Sequence, residues 1–175
     1  MPVFRMRVSR VRVSSGQWLL VSMLLLFGLA AHAAATFKET DWLELMPPDE
    51  VEAMLNASQS GIIDHSMKGS QHGTFRTIPE MDGKKLKMAG YVVPMEFTDD
   101  GKVKEFYFVP YFGACIHMPP PPPNQLILAR LSKPIDPPDI YEAFWVSGTL
   151  KIERTESDMA ETAYAMDVAD IRLYE

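Results

Sequence analysis

The sequence predicts a mainly β fold, a small five-stranded barrel preceded by an extended arm and a short helix. Several segments of the 175-residue chain alternate apolar and polar residues with a period of two, as half-buried strands do. Turn signals such as Thr98-Asp-Asp-Gly101 and proline-rich stretches separate these segments. A glycine inside one predicted strand and a change of phase inside another favour a closed barrel over an open sheet.

Residues 1–35 have the composition of a secretory signal peptide. Four arginines and no acidic residue precede the apolar run Trp18–Ala30, and Ala31–Ala35 offers an Ala-x-Ala cleavage pattern. The apolar run is short for a membrane span, so we expect cleavage after Ala33 or Ala35 rather than stable membrane insertion. The expected location is therefore the periplasm.

The charge of the remaining chain excludes one large class of partners. Removing four arginines from 17 basic residues leaves 13 against 23 acidic residues, a formal charge of −10. Nucleic-acid-binding proteins need a basic surface, so nucleic acid is not an expected partner. The length that remains suits a single compact core.

Residues 36–80 are predicted to form an arm, a short helix and a linker. Trp42 lies in the arm and is expected to pack onto the barrel. A proline costs no hydrogen bond in the first turn of a helix, so Pro48 can open a helix that we place over Pro48–Asn56. This helix would present one apolar face, formed by Val51, Met54 and Leu55.

The barrel domain is expected over residues 81–175. Pro94 is predicted to end the first strand, and the proline-rich segment 132–141 is predicted to be a loop. Gly148 inside the fourth strand indicates a bend or a close backbone approach, and the phase change at Ala169-Asp170 indicates a β-bulge. The five predicted strands are Lys84–Val93, Val103–Pro110, Gln125–Leu131, Phe144–Ile152 and Ala163–Tyr174.

This order of strands is similar to that of the oligonucleotide/oligosaccharide-binding (OB) barrel. Ligands of such barrels are often bound on the second and third strands. Here those strands flank the loop Phe112–Gln125, which holds the only cysteine of the chain and five consecutive prolines. The topology therefore predicts where a site would lie and leaves its ligand open.

Cys115 and His117 are the candidate metal ligands in this loop. Residues i and i+2 of an extended chain point the same way, so a thiolate and an imidazole can meet at one metal ion. Zinc is the expected metal and copper the less favoured one, for which Met118 would add a thioether. Because two protein ligands are fewer than zinc usually takes, His65, His72, Glu96 or water would complete an open, exchangeable site.

Three other interpretations of the loop stay open. His117 could lower the pKa of Cys115 and make a thiol enzyme, although no resolving cysteine is present and we expect no enzyme. The proline run could instead be a docking site in a protein–protein adaptor that binds no metal. Cys115 could also be an inert buried thiol. Asn124 and Gln125 are expected to close the loop by hydrogen bonds to proline carbonyls, and the partner loop comprises Tyr111, Phe112, Met118, Pro119, Pro120, Pro121, Asn124 and Gln125.

Three strings carry a family resemblance: Gly90–Pro94, Phe108–His117 and Pro119–Gln125. From roughly Trp42 to its end, the chain resembles the domain of unknown function 3299 family of exported bacterial proteins. The resemblance implies a periplasmic accessory protein that works with inner-membrane ABC transporter components in a zinc-related context. The matching motif positions are Cys115, His117, Asn124 and Gln125, and the chain has five prolines where the family more often has four and a small residue.

Overall fold

The computed structural model describes residues 36–59, 71–115 and 120–175. The expected signal peptide and its cleavage point lie outside these ranges. The described residues contain one α-helix, α1 (Pro48–Gln59), and three 3-10 turns, at Trp42–Leu45, Pro79–Met81 and Pro123–Gln125. They also contain six strands: β1 (Lys38–Glu39), β2 (Lys85–Phe97), β3 (Val103–Val109), β4 (Ile127–Ile135), β5 (Ala143–Glu156) and β6 (Glu161–Leu173).

Five of the strands close into a barrel, which confirms the predicted fold class. The pairing order is β2-β3-β4-β6-β5, and β5 pairs back onto β2. Strands β4 and β6 run parallel, and the other barrel pairs are antiparallel. This order is compatible with an OB-like barrel. The short strand β1 adds a parallel partner to the edge of β2.

Two strands continue through prolines, against the sequence prediction. β2 runs past Pro94 to Phe97, and β4 runs through Pro134 to Ile135, in the segment predicted to be a loop. In both places the register of the pairing shifts, next to Pro94 in the β2–β3 pair and between Val103 and Glu105 in the β3–β4 pair. A proline is tolerated at such irregularities because the regular ladder hydrogen bond is interrupted there.

The predicted irregularities of β5 and β6 are confirmed. Ser147 pairs with Asp170 and Gly148 with Val168, so Ala169 is the extra residue of a β-bulge. A Cβ atom on Gly148 would lie 2.5 Å from the carbonyl oxygen of Asp167. Only glycine permits this close approach of the two strands.

The arm packs onto the barrel, as expected. Trp42 is buried in the first 3-10 turn, which Asp41 and Glu44 close with a capping box. The indole Nε1–H donates to the carbonyl oxygen of Ala89 at 2.7 Å, and the ring lies 5.1 Å from that of Phe108. The arm is therefore a fixed part of the fold.

Helix α1 extends three residues beyond its predicted end, and its predicted apolar face is not buried. Met54 and Leu55 are 37% and 48% exposed, and Val51 is half-buried. Polar contacts hold the first turn, where Arg76 binds the Asp49 carboxylate through two hydrogen bonds. Of the helices in the described ranges, none is long and apolar enough to cross a membrane.

Candidate functional site

The loop that follows β3 presents aromatic side chains at the surface. Tyr111 and Phe112 are 38% and 43% exposed. The Phe112 ring meets Tyr91 of β2 edge-on, with centroids 5.9 Å apart, and lies 5.5 Å from the ring of Tyr141. Phe112 thus joins the outer face of the barrel to the segment between β4 and β5.

Cys115, in the same loop, has an unusual backbone conformation. Its φ angle is +64°, and it is the one non-glycine residue in the described ranges with positive φ. The half-buried side chain packs against a second apolar cluster that includes Val109 and Leu126. Burial raises the pKa of the Cys115 thiol to about 11, so the free thiol is protonated at neutral pH.

The structure does not test the complete metal site. His117, Met118 and Pro119 lie outside the described residues, as does His65. His72 is exposed, and Glu96 forms an ion pair with Lys104 at 2.7 Å. Within residues 36–59, 71–115 and 120–175, no three histidine, cysteine or acidic side chains gather as a metal site would require. Metal binding therefore stays a prediction.

The last four of the five consecutive prolines are built into the fold. Pro121 and Pro123 are buried, and Pro120 and Pro122 are half-buried. The amide of Gln71 donates to the carbonyl oxygens of Pro121, at 2.7 Å, and of Glu161, at 2.8 Å. The surface that these four prolines offer to a partner is correspondingly small.

Asn124 and Gln125 lie buried in the 3-10 turn Pro123–Gln125. Their side chains were expected to bond proline carbonyls, and this prediction is wrong. The Gln125 amide donates to the carbonyl oxygen of Trp42 at 2.7 Å, and the Asn124 amide donates to that of Arg76 at 3.0 Å. Both acceptors are backbone carbonyl oxygens of segments that are distant in the chain, so the two buried amides tie those segments to the turn.

Glu50 completes a polar cluster around Asn124. The Glu50 side chain is only 15% exposed and accepts hydrogen bonds from Thr74, Arg76 and Asn124. The hydrogen bonds from Arg76 hold the pKa of the neighbouring Asp49 below its usual value. The Oδ1 atom of Asn124 is buried and has no hydrogen-bond partner among the described residues.

Sequence reasoning missed three members of this framework. Nothing in the sequence predicts a buried contact at Glu50, and Gln71 and Arg76 lie in the predicted linker region, where no periodicity marks one. Each interacts with a residue at least 24 positions away in the chain. No local pattern in the sequence identifies these partners.

The fold and the site define a class: a closed β-barrel protein with an arm and a helix tied to it by a buried Asn-Gln turn, and with a half-buried cysteine in the loop that precedes this turn. A family model described as "Protein of unknown function (DUF3299)" matches residues 42–173. The chain belongs to this family, which confirms the resemblance found in the sequence.

A solved relative supports the same assignment. A DUF3299 family protein from Pseudomonas aeruginosa PAO1 is similar to this chain with a TM-score of 0.64 and 32% sequence identity, over 80% of this chain and 97% of that one. No match was found among curated proteins.

Proposed function

We propose that the protein is an exported, non-catalytic metal-binding accessory protein, with Cys115 and His117 as ligands and zinc as the ion. The observation that carries this proposal is the φ angle of +64° at the only cysteine of the chain. A left-handed conformation costs a non-glycine residue about 1–2 kcal/mol. Glycine would avoid that cost, as Gly113 does two residues earlier with a φ of +81°. A side chain kept at such a cost supports a role for the thiol.

The environment of Cys115 favours metal binding over nucleophilic catalysis. A nucleophilic cysteine needs a stabilised thiolate, whereas burial raises the pKa of this thiol to about 11. A zinc ion replaces the thiol proton directly and so supplies the charge that the apolar surroundings do not. Binding at neutral pH would then release a proton.

Export and a transport partner rest on other observations. The basic and apolar leader supports export, and the family resemblance supports work beside inner-membrane ABC transporter components. An open site with few protein ligands suits a carrier, because the ion can be passed on. The complete proposal is a periplasmic zinc carrier for such a transporter.

Calorimetric titration of the reduced mature protein with zinc tests the proposal. We expect stoichiometric binding that Cys115→Ser and His117→Ala abolish and that Asp158→Asn, at the exposed β5–β6 turn, leaves unchanged. His72→Ala and Glu96→Gln show whether either residue completes the site. Repeating the titration in two buffers of different ionisation enthalpy measures the released proton. An absence of zinc binding, or equal binding by Cys115→Ser, would overturn the proposal.

The adaptor function has a specific observation in its favour. Phe112 and Tyr141 form an aromatic pair at the surface, in which Phe112 is 43% exposed and Tyr141 is 67% exposed. Aromatic side chains of this kind anchor protein interfaces. A photoreactive phenylalanine analogue at position 141 should then cross-link one envelope protein in cells, whereas the same analogue at Phe97, which is also 50% exposed, should not. Equal labelling from both positions would contradict this function.

A further inference from the structure

A groove with a volume of about 460 Å³ lies across the outer side of β2, separate from the residues of the Cys115 loop. The arm forms one wall with acidic side chains, and aromatic side chains at β5 and the end of β6 form the other. Ala89 lies between the walls and pairs with Trp145 in the β2–β5 ladder. The residues that matter for binding are Glu39, Asp41, Glu44, Ala89, Trp145 and Tyr174.

The acidic wall offers hydrogen-bond acceptors. The Thr40 hydroxyl donates a hydrogen bond to the carbonyl oxygen of Lys38, and the Trp42 indole N–H donates one to the carbonyl oxygen of Ala89. Neither donor is therefore free to bind a ligand. Glu44 is already ion-paired with Lys38, whose hydrogen bond lowers the pKa of this carboxyl group. The Oδ1 atom of Asp41 accepts from the backbone N–H of Leu43 at 2.8 Å, but among the residues that the structure describes its charge has no cationic partner. Such a wall suits a ligand that carries donors and positive charge.

The fold already places an ammonium group against one residue of each wall. The Nζ atom of Lys87 lies 3.7 Å from the centroid of the Trp145 ring and 3.4 Å from a carboxylate oxygen of Glu39. The Tyr174 ring lies 5.0 Å from that of Trp145, and Tyr174 is 53% exposed. An aromatic face and a carboxylate together are the groups that attract an aliphatic ammonium.

We propose that this groove is a binding site for an aliphatic ammonium ligand of the linear polyamine type. One ammonium group pairs with Asp41, the methylene chain lies along Tyr174, and a second ammonium displaces Lys87 from Trp145 and Glu39. The negative charge of the chain attracts such a ligand from a distance. The same chemistry is presented by lysine side chains of a partner protein. The site shares no residue with the proposed zinc site, so either proposal can fail alone.

Spermidine added to the zinc-free mature protein is the first probe. Of the three tryptophans, Trp18 lies in the predicted leader, so fluorescence after its removal reports only Trp42 and Trp145, which both line the groove. We expect a saturable change that weakens with added salt. Asp41→Asn removes one exposed cation contact and should weaken binding about fivefold. Tyr174→Ser removes the apolar contact with the methylene chain and should also weaken binding about fivefold. The Tyr174 side chain is 53% exposed, so its substitution should leave folding intact.

Lys87→Gln is the decisive variant. Because the proposed ligand competes with the Lys87 ammonium, this substitution should tighten spermidine binding severalfold. Lys104→Gln changes the net charge equally, at an exposed ion pair with Glu96, and should leave binding unchanged. Pentalysine in place of spermidine distinguishes the source of the ammonium, and tighter binding of the peptide would assign the groove to a protein partner. Absence of saturable binding by both probes, or an equal effect of Lys87→Gln and Lys104→Gln, would overturn the proposal.

Discussion

The side-chain amide of Asn124 donates a 2.8 Å hydrogen bond to the carboxylate of Glu50, 74 positions earlier in the chain. This contact joins the turn after the prolines to the first turn of α1. Asn124 is fully buried, and its amide also holds the carbonyl oxygen of Arg76. The pair therefore fixes the helix and the linker to the barrel at one point.

Asn124→Asp should replace this hydrogen bond by a repulsion between two carboxylates. We expect a loss of about 2–4 kcal/mol in the free energy of unfolding at pH 7. Like charges raise the pKa of a carboxyl pair, so the variant should recover stability as pH falls below that raised pKa. Urea unfolding at pH 7 and pH 5 measures both effects. Adding Glu50→Gln to this variant should recover most of the lost stability at pH 7. If Asn124→Asp alone lost equal stability at pH 7 and pH 5, carboxylate repulsion would not be the cause.

Tyr164→Phe should weaken the attachment of the arm. The buried Tyr164 hydroxyl donates to the carbonyl oxygen of Leu45 at 2.9 Å and accepts from the backbone N–H of Ile78 at 2.8 Å. Its removal leaves both backbone groups without this partner, which should cost about 1–3 kcal/mol. Thermal unfolding checks this value against Tyr141→Phe, which removes a hydroxyl from a side chain that is 67% exposed. Losses of similar size in the two variants would show that the Tyr164 hydroxyl does not support the arm.

The barrel was predictable because its signals are local. The apolar alternation of β2 shows its inward side chains, and the phase change at Ala169-Asp170 shows the bulge directly. The strand segments around Pro94 and Pro134 were not predictable, since a proline is tolerated there only because the partner strand shifts register. Tertiary pairing overrides the local preference in these two places.

The candidate site was predictable only in part. Cys115 stands out in the sequence as the single cysteine, but its left-handed backbone and its apolar surroundings depend on packing by Val109 and Leu126. The partners of Asn124 lie in segments 48 and 74 positions away, so no spacing within the loop could identify them. The groove between the arm and Trp145 likewise exists only once β1 is placed beside β2.

Gly148→Ala should strain the closure of the barrel. The added Cβ atom would lie 2.5 Å from the Asp167 carbonyl oxygen and 2.6 Å from Cγ of Met166. Strands β5 and β6 would have to separate, and overpacking of this kind costs about 1–3 kcal/mol. Gly83→Ala is the control, because its φ of +71° adds backbone strain while no atom lies within 4 Å of the new Cβ. Urea unfolding should show a larger loss of stability for Gly148→Ala than for Gly83→Ala. The reverse order would show that β5 and β6 can separate at little energetic cost.

Cys115 should be slow to alkylate in the folded, zinc-free protein. Burial raises the pKa of its thiol from an ordinary 9.0 to about 11, so at neutral pH the folded protein holds about a hundredfold less thiolate than the unfolded chain does. Iodoacetamide labelling followed by mass spectrometry from pH 6 to pH 11, with and without denaturing urea, gives the pH at which the labelling rate of the same cysteine levels off in each state. Equal rates with and without urea at pH 7 would show an accessible, stabilised thiolate and would reopen the thiol-enzyme interpretation.

The same shift in pKa predicts a dependence of stability on pH. The folded protein keeps the Cys115 proton up to a pKa of about 11, whereas the unfolded chain releases it near pH 9. The contribution of the thiol to stability is therefore complete below pH 9 and is lost as pH rises from 9 to 11. Tyrosines and lysines also titrate in this range, so the measured quantity is the difference between wild type and Cys115→Ser. The difference in the free energy of unfolding should shrink from pH 9 to pH 11, because serine has no proton to lose in this range. A constant difference would mean that the Cys115 thiol is not desolvated by its apolar neighbours.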